Sequence, residues 1–330
     1  MSEIPASARK SALIFLKLII TGITIWWLLS MTDYATLLRA FRQIPSVVIV
    51  AALSMNVFAF LMGSVRWWVL LCHATGRIAY GKVLPSYYLG IFFNNILPTS
   101  MGGDIVRTFH LGLRGVNMQA LLGSAVADRG IGLFVSLLIG SICIFISPDI
   151  GIGGHDELLL LTILIIFSFG TWLFFSPVTI ALIERLGIKY QSARFRRFIL
   201  ETVRLCHKYR TARGSLIAAL MLTAIMQSAV ILAYYMLGTG IGIKLSIATY
   251  FAVIPIVFLA ASIPISIGGI GVREGALVGL LIKTGADTQH AIALSLVYLV
   301  VLLLSSLPGG VIALLHTNTM TMHKHHESQN

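Results

Sequence analysis

Six ionisable side chains, Asp104, Arg107, Asp128, Arg129, Arg273 and Glu274, stand in or beside apolar stretches of the sequence. A charge at membrane depth costs roughly 2.5 to 3.5 kcal/mol on insertion scales, so each needs a partner or a task. Asp104 with Arg107, Asp128 with Arg129, and Arg273 with Glu274 are the local pairs. Two roles stay open for them. They are structural ion pairs or snorkelling groups, or they gate and couple, with Asp104 and Glu274 exchanging protons or partners between states. The arginines themselves suit anions, because a planar guanidinium meets phosphate oxygens bidentately and helix starts add oriented amides. The expected ligand is therefore a phosphate-bearing lipid headgroup.

Two copies of one broken stretch carry these groups. Leu97 to Arg107 recurs as Ile263 to Arg273 at an offset of 166, with Pro, Ser, both Gly, Val and Arg in register. Pro98 and Pro264 remove a backbone donor, and the Gly-Gly pairs permit positive φ, so a helix reaching either stretch must stop and turn. Lipid cannot satisfy the freed peptide groups, and paired broken segments in two halves of a membrane protein mark a binding region. Ser100, Gly102, Gly103 and Arg107, with Ser266, Gly268, Gly269 and Arg273, are the expected headgroup contacts. The register sets Asp104 opposite Ile270 and Glu274 opposite Thr108, so each copy owns one carboxylate at a different position. Asn94 and Asn95 line the cavity or bond between helices. Gly275 and Gly279 read as close helix packing.

Nothing points to catalysis, a metal or a cofactor. Cys72, Cys143 and Cys206 lack metal-ligand spacing, and His323, His325 and His326 read as a solvated tail. No P-loop is visible, so direct nucleotide drive is not expected.

The elements that must position these residues are membrane spans. Mean hydropathy is +0.92, with 57% apolar and 11% charged residues, which excludes an ordinary soluble domain. The 24 Lys and Arg exceed the 12 Asp and Glu, but they flank apolar runs and no nucleic-acid motif appears, so the partner surface is an anionic leaflet. The expected fold is all-α and integral to the membrane, with six full spans plus two re-entrant hairpins. Residues 1–148 form one repeat half with its hairpin at 83–118, whose returning arm runs from Thr108 to Met118. Residues 149–183 add a connecting span, and 184–211 a basic amphipathic cytoplasmic linker. Residues 212–315 form the second half with its hairpin at 247–283, and 316–330 a polar tail. Arg66-Trp67-Trp68 reads as an interfacial signature closing the span from Ser46 to Leu70.

Loop charges orient this layout. Fourteen Lys and Arg fall on segments that are cytoplasmic if both termini are inside, against four on the other side. The two hairpins then enter from opposite faces, and the halves are inverted-topology repeats. The same offset lays Gln119–Ser147 on Gly285–Ala313.

Asn94-Asn95-Ile96-Leu97-Pro98 with Gly102-Gly103-Asp104 and Arg107, then Asp128-Arg129, then Pro264 to Glu274, resemble the membrane region of lysylphosphatidylglycerol synthases, a flippase-like family. The likeness covers roughly residues 10 to 315. In the synthases this region is joined to a soluble aminoacyl-transferase domain that this sequence does not contain, so lysyl transfer is not expected. The resemblance implies a stand-alone lipid translocase of a bacterial or archaeal plasma (inner) membrane. Substrate identity does not carry over from the family; the arginines are what point to an anionic headgroup, on a phospholipid or a polyprenyl-phosphate-linked lipid, and a lipid-synthesis enzyme is a candidate partner. A non-transporting accessory to such an enzyme is one rival reading. An integral-membrane lipid-modifying enzyme is another, although the residues offer neither an acidic pair in the first external loop nor paired histidines.

Overall fold

The computed structural model describes residues 41–97, 102–146, 212–263, 266 and 268–327, with side chains to residue 315, and isolated helical positions at 22, 26, 30, 38, 162, 165 and 166. The first span, the connecting span, the basic linker, Ser100 and the tail side chains lie outside the described residues, isolated positions apart. The all-α expectation holds throughout the described residues, which contain eight helices and no strand.

Those helices come in two sets of four, each long, short, short, long. In the first set α1 is Ser46–Thr75, α2 Tyr80–Ile96, α3 Gly102–Gly112 and α4 Met118–Ile146. In the second, α5 is Arg213–Ile241, α6 Ile247–Ser262, α7 Val272–Lys283 and α8 Thr288–Glu327. The helices Ser46–Thr75, Met118–Ile146, Arg213–Ile241 and Thr288–Leu315 are each long and apolar enough to cross a membrane. The short helices are not: 17 residues rise only about 26 Å at 1.5 Å each.

Local chemistry sets the boundaries. Pro45 precedes α1, and Gly76 ends it at φ 83°. Gly242, at φ 101°, closes α5 while the Ile243 amide donates to the Gly238 carbonyl at 2.9 Å. The long closing helices start alike. Asn117 Oδ1 accepts from the amides of Gln119 and Ala120, and Asp287 Oδ1 accepts from those of Gln289 and His290. Gly115 at φ 84° and Gly285 at φ 95° precede these two caps.

The matching caps correct the repeat register. Asn117 and Asp287 are 170 residues apart, as are the starts of α3 and α7, whereas α2 and α6 end 166 apart, so the break between the short helices is four residues longer in the second hairpin. Two consequences follow for the hairpins. The returning arm of the first is helical from Gly102, six residues earlier than Thr108, and Gly102 and Gly103 are helical residues, not a left-handed turn. Among the described residues the positive-φ turn belongs to the second copy, where Gly268, Gly269 and Gly271 have φ of 58°, 78° and 91°.

Packing exchanges elements between the sets. The most extensive contact is α1 along α5. The short helix α2 packs on α8 of the other set, and α6 packs reciprocally on α4. Each half's broken hairpin is thus clamped by the other half's closing helix. Pro255 of α6 sits 3.1 Å from where a Cβ on Gly140 of α4 would lie, so that glycine sets how near the two helices approach. Outward faces stay apolar, with Phe145, Ile146, Met221, Leu304 and Leu314 exposed as lipid requires.

Candidate functional site

One buried face of α1 begins the site. Asn56, Ala59, Gly63, Arg66 and Trp67 recur at helical spacing and are all buried. Gly63 leaves the room that the Tyr87 hydroxyl of α2 fills, since a Cβ there would collide with it. Trp67 is fully buried and donates from Nε1 to Ser124 Oγ at 3.1 Å. The interfacial reading of Arg66-Trp67-Trp68 is therefore corrected for its first two members, because apolar turns continue beyond them to Thr75 and hold both inside the bundle.

The hairpin α2–α3 is closed backbone to backbone. A Cβ on Gly103 would run into the Gly90 carbonyl and the Asn94 side chain, and one on Gly90 would lie 2.9 Å from the Gly103 carbonyl. Asn94 Oδ1 accepts the Gly103 amide at 2.8 Å, satisfying one of the donors that a helix start leaves open. Asn94 is thus a clasp as well as a cavity residue. The close approach brings Asp104 and Arg107 of α3 to the neighbouring face of α4.

There the charges form an alternating ladder. Arg66 Nε donates to Asp128 Oδ1 at 2.6 Å, and Arg107 Nη2 donates to Asp128 Oδ2 at 3.0 Å. Arg107 Nη2 also reaches Asp104 Oδ1 at 2.8 Å, and Arg129 Nε bonds Asp104 Oδ2. The order is Arg66, Asp128, Arg107, Asp104, Arg129, with a cation at each end. The expected pairing of Asp104 with Arg107 is present. That of Asp128 with Arg129 is not, because adjacent helical residues diverge by about 100° and face different neighbours. Arg107 also lies over Trp67 at 4.4 Å and over Tyr87 at 5.3 Å from the ring centres, which suits a buried guanidinium. Arg66 Nη1 ties the ladder to α5 through Thr223 Oγ1 at 3.2 Å.

The second hairpin supplies a compact pair. Arg273 donates from Nε at 2.9 Å and Nη2 at 2.5 Å to Glu274 Oε1, while Glu274 Oε2 accepts the Gly271 amide at 2.6 Å. Glu274 is the third residue of α7 and Asp104 the third of α3, so in helix register the two carboxylates are equivalent and the arginines are not. Both sit where the helix dipole favours a negative charge. Arg273 stacks over Tyr298 at 5.9 Å, and Tyr298 donates to Asn56 Oδ1 at 3.0 Å and stacks on Tyr234.

These groups surround one cavity of about 380 Å³ reached by helices of both sets. Arg66, Arg107, Arg129 and Arg273 line it against Asp104 and Asp128, with Asn56, Asn94, Asn95, Ser136 and Gln227 among the other polar residues and Gly268 beside them. Gly268 presses on the first hairpin, with the Asn95 Cα 3.3 Å from the position of its missing Cβ, so the two broken motifs touch. Ser266 is buried nearby in sequence, outside the lining, and its hydroxyl has no partner among the described residues. Gly102 and Gly103 are buried outside the cavity lining, and Gly103 faces Gly90 and Asn94 within the hairpin. Gly269 instead packs on Ala261. Gly279 of α7 has open space where its Cβ would be, so its expected packing role is not seen. Arg66, Tyr87, Tyr298, Asn56 and Gln227 were not expected in the site. The signal for Arg66 is in the sequence, as six consecutive apolar residues, 67–72, follow it and nine residues in all separate it from Gly76.

A second concavity, about 700 Å³, lies between the α1–α2 and α3–α4 loops, where Arg77, Lys82 and Arg114 line it with no acidic residue.

Comparison with known proteins agrees with this architecture. The chain is 22% identical over 336 residues to the UPF0104 membrane protein PH1989 of Pyrococcus horikoshii, covering 93% of this chain and 97% of that protein. A family model for the lysylphosphatidylglycerol synthase TM region matches residues 14–310, nearly the whole helical bundle. By that match the chain is an integral multi-pass membrane protein that belongs to the lysylphosphatidylglycerol synthase TM-region family.

Proposed function

We propose that the chain is a lipid translocase of the plasma membrane, passing a phosphate-bearing headgroup between leaflets through the central cavity while the acyl chains stay in the bilayer. The observation that carries this reading is the cavity itself: four arginines against two aspartates at the junction of both helix sets in an apolar bundle. A surplus of cations in a low-dielectric site attracts an anion strongly, by about 4 kcal/mol per charge pair at 4 Å with an effective dielectric of 20. Phosphate oxygens compete with Asp104 for Arg129, the outermost and most exposed of the ladder's guanidinia.

The exchanged packing suits alternating access. Each hairpin rests on the other half's closing helix, so rocking one half against the other moves Asp104, Arg107 and Arg273 of the hairpins past Arg66 and Asp128 of the long helices. We take the halves as inverted repeats with the Arg77, Lys82 and Arg114 end in the cytoplasm, in keeping with loop charge. No chemical step on the lipid is part of this reading.

The test is reconstitution in liposomes carrying reporter lipids with anionic, zwitterionic or polyprenyl-phosphate headgroups, followed by leaflet exchange. The expected result is headgroup-selective exchange that falls about tenfold or more in Arg129→Gln, which removes the cavity's most exposed ladder cation, and in Arg273→Ala. Absence of exchange for every lipid, in protein that remains monodisperse, would replace this reading with that of a non-transporting accessory.

A further inference from the structure

The hydrogen-bonding inventory of the cavity narrows the headgroup. All six carboxylate oxygens of Asp104, Asp128 and Glu274 already accept a hydrogen bond from an arginine or a backbone amide. Two amide acceptors of the lining are engaged as well, since Asn56 Oδ1 takes the Tyr298 hydroxyl and Asn94 Oδ1 takes the Gly103 amide. Donors, by contrast, are left over. Among the described residues Arg107 Nε and Asn95 Nδ2 have no partner, and both residues line the cavity together with Ser136, whose hydroxyl also has none there. Arg107 and Ser136 are 4% and 3% exposed, so water reaches them poorly and an unmade bond there is costly.

Resting on the translocase reading, we propose that the cavity takes anionic headgroups that bring a phosphodiester and hydroxyls but no cation, and rejects headgroups bearing an amine. The phosphate oxygens receive Arg107 Nε and Asn95 Nδ2. A hydroxyl of the headgroup pairs with Ser136. An ammonium group finds every carboxylate oxygen engaged and four guanidinia around it, so it enters only by breaking an arginine–carboxylate bond. This selectivity is opposite to that of a carrier for aminoacylated lipid, whose cargo brings a cation that needs an open carboxylate.

The test compares phosphatidylglycerol with lysylphosphatidylglycerol, which differ only by the lysyl ester. Purified full-length protein is assayed for exchange of both reporters in liposomes, and for thermal shift with short-chain forms of both in detergent. The expected result is at least about tenfold preference for phosphatidylglycerol in each assay, from like-charge repulsion. Asn95→Asp, nearly isosteric, supplies an acceptor in the cavity, and its preference should shrink. Equal or better handling of the lysyl lipid by the wild type overturns the selectivity and leaves translocation standing. Selective binding without any exchange upholds the selectivity and overturns translocation. Binding of neither lipid, or an unchanged preference in Asn95→Asp, overturns the proposed headgroup contacts.

Discussion

The two ends of the charge ladder differ in burial, and that difference separates structure from function within it. The Arg66 side chain is 6% exposed and shares Asp128 with Arg107, whereas that of Arg129 is 29% exposed and meets Asp104 at the cavity. Removing one partner of a buried ion pair leaves an uncompensated charge and costs about 3 to 5 kcal/mol. A partly exposed pair contributes about 1 kcal/mol or less. Arg66→Met should therefore lower the thermal unfolding midpoint in detergent clearly more than Arg129→Gln, while Arg129→Gln should have the larger effect on lipid exchange relative to its stability loss. The reverse order of stabilities would mean that Arg66 is not the ladder's structural anchor. None of this ranking was readable from the sequence, where Asp128 and Arg129 are simply neighbours. Side chains on adjacent helical residues point about 100° apart, so the partner of each was fixed by which helix packs on which face.

At the level of elements, the hairpin α2–α3 depends on two glycines that look interchangeable with others in the chain. Gly103→Ala places a methyl group against the Gly90 carbonyl, where backbone and not a flexible side chain stands in the way. The helices must separate, and overpacking of this kind costs about 1 to 3 kcal/mol. The displacement also draws Asp104 and Arg107 away from Asp128, so exchange should fall along with stability. Gly279→Ala meets open space in the middle of α7 and should be neutral or stabilising by up to about 1 kcal/mol from helix propensity. Thermal melts of the two variants, with exchange rates at a temperature where both are folded, check the pair. A destabilised Gly279→Ala would contradict the open face of α7. The sequence gives no sign of which glycine is which, because Gly102-Gly103 and Gly268-Gly269 align in the repeat although the first pair is helical and the second is left-handed.

For the whole molecule, the contact between the two broken motifs is a place to test motion. Gly268 lies against the backbone of Asn94 and Asn95, where a Cβ would run into the Asn94 carbonyl oxygen, and its φ of 58° favours glycine. Gly268→Ala should therefore push the two motifs apart at a cost of about 1 to 3 kcal/mol. Lipid exchange, measured at a temperature where the variant is folded, should fall with it. Unchanged exchange in Gly268→Ala would remove this contact from the mechanism.

Hydropathy and the paired broken stretches determined a great deal unaided. They specify an all-α membrane bundle, two similar halves, and charged residues that must be paired because hydrocarbon offers them nothing else. These are local properties, set by composition and by what proline and glycine do to a backbone. The true repeat register, the burial of Arg66, the recruitment of Tyr87 and Tyr298, and the five-membered ladder needed the tertiary structure. Each depends on the exchange of α2 and α6 between halves, and helix pairing of that kind is decided by shape and small-residue contacts across hundreds of positions, not by any one stretch of sequence.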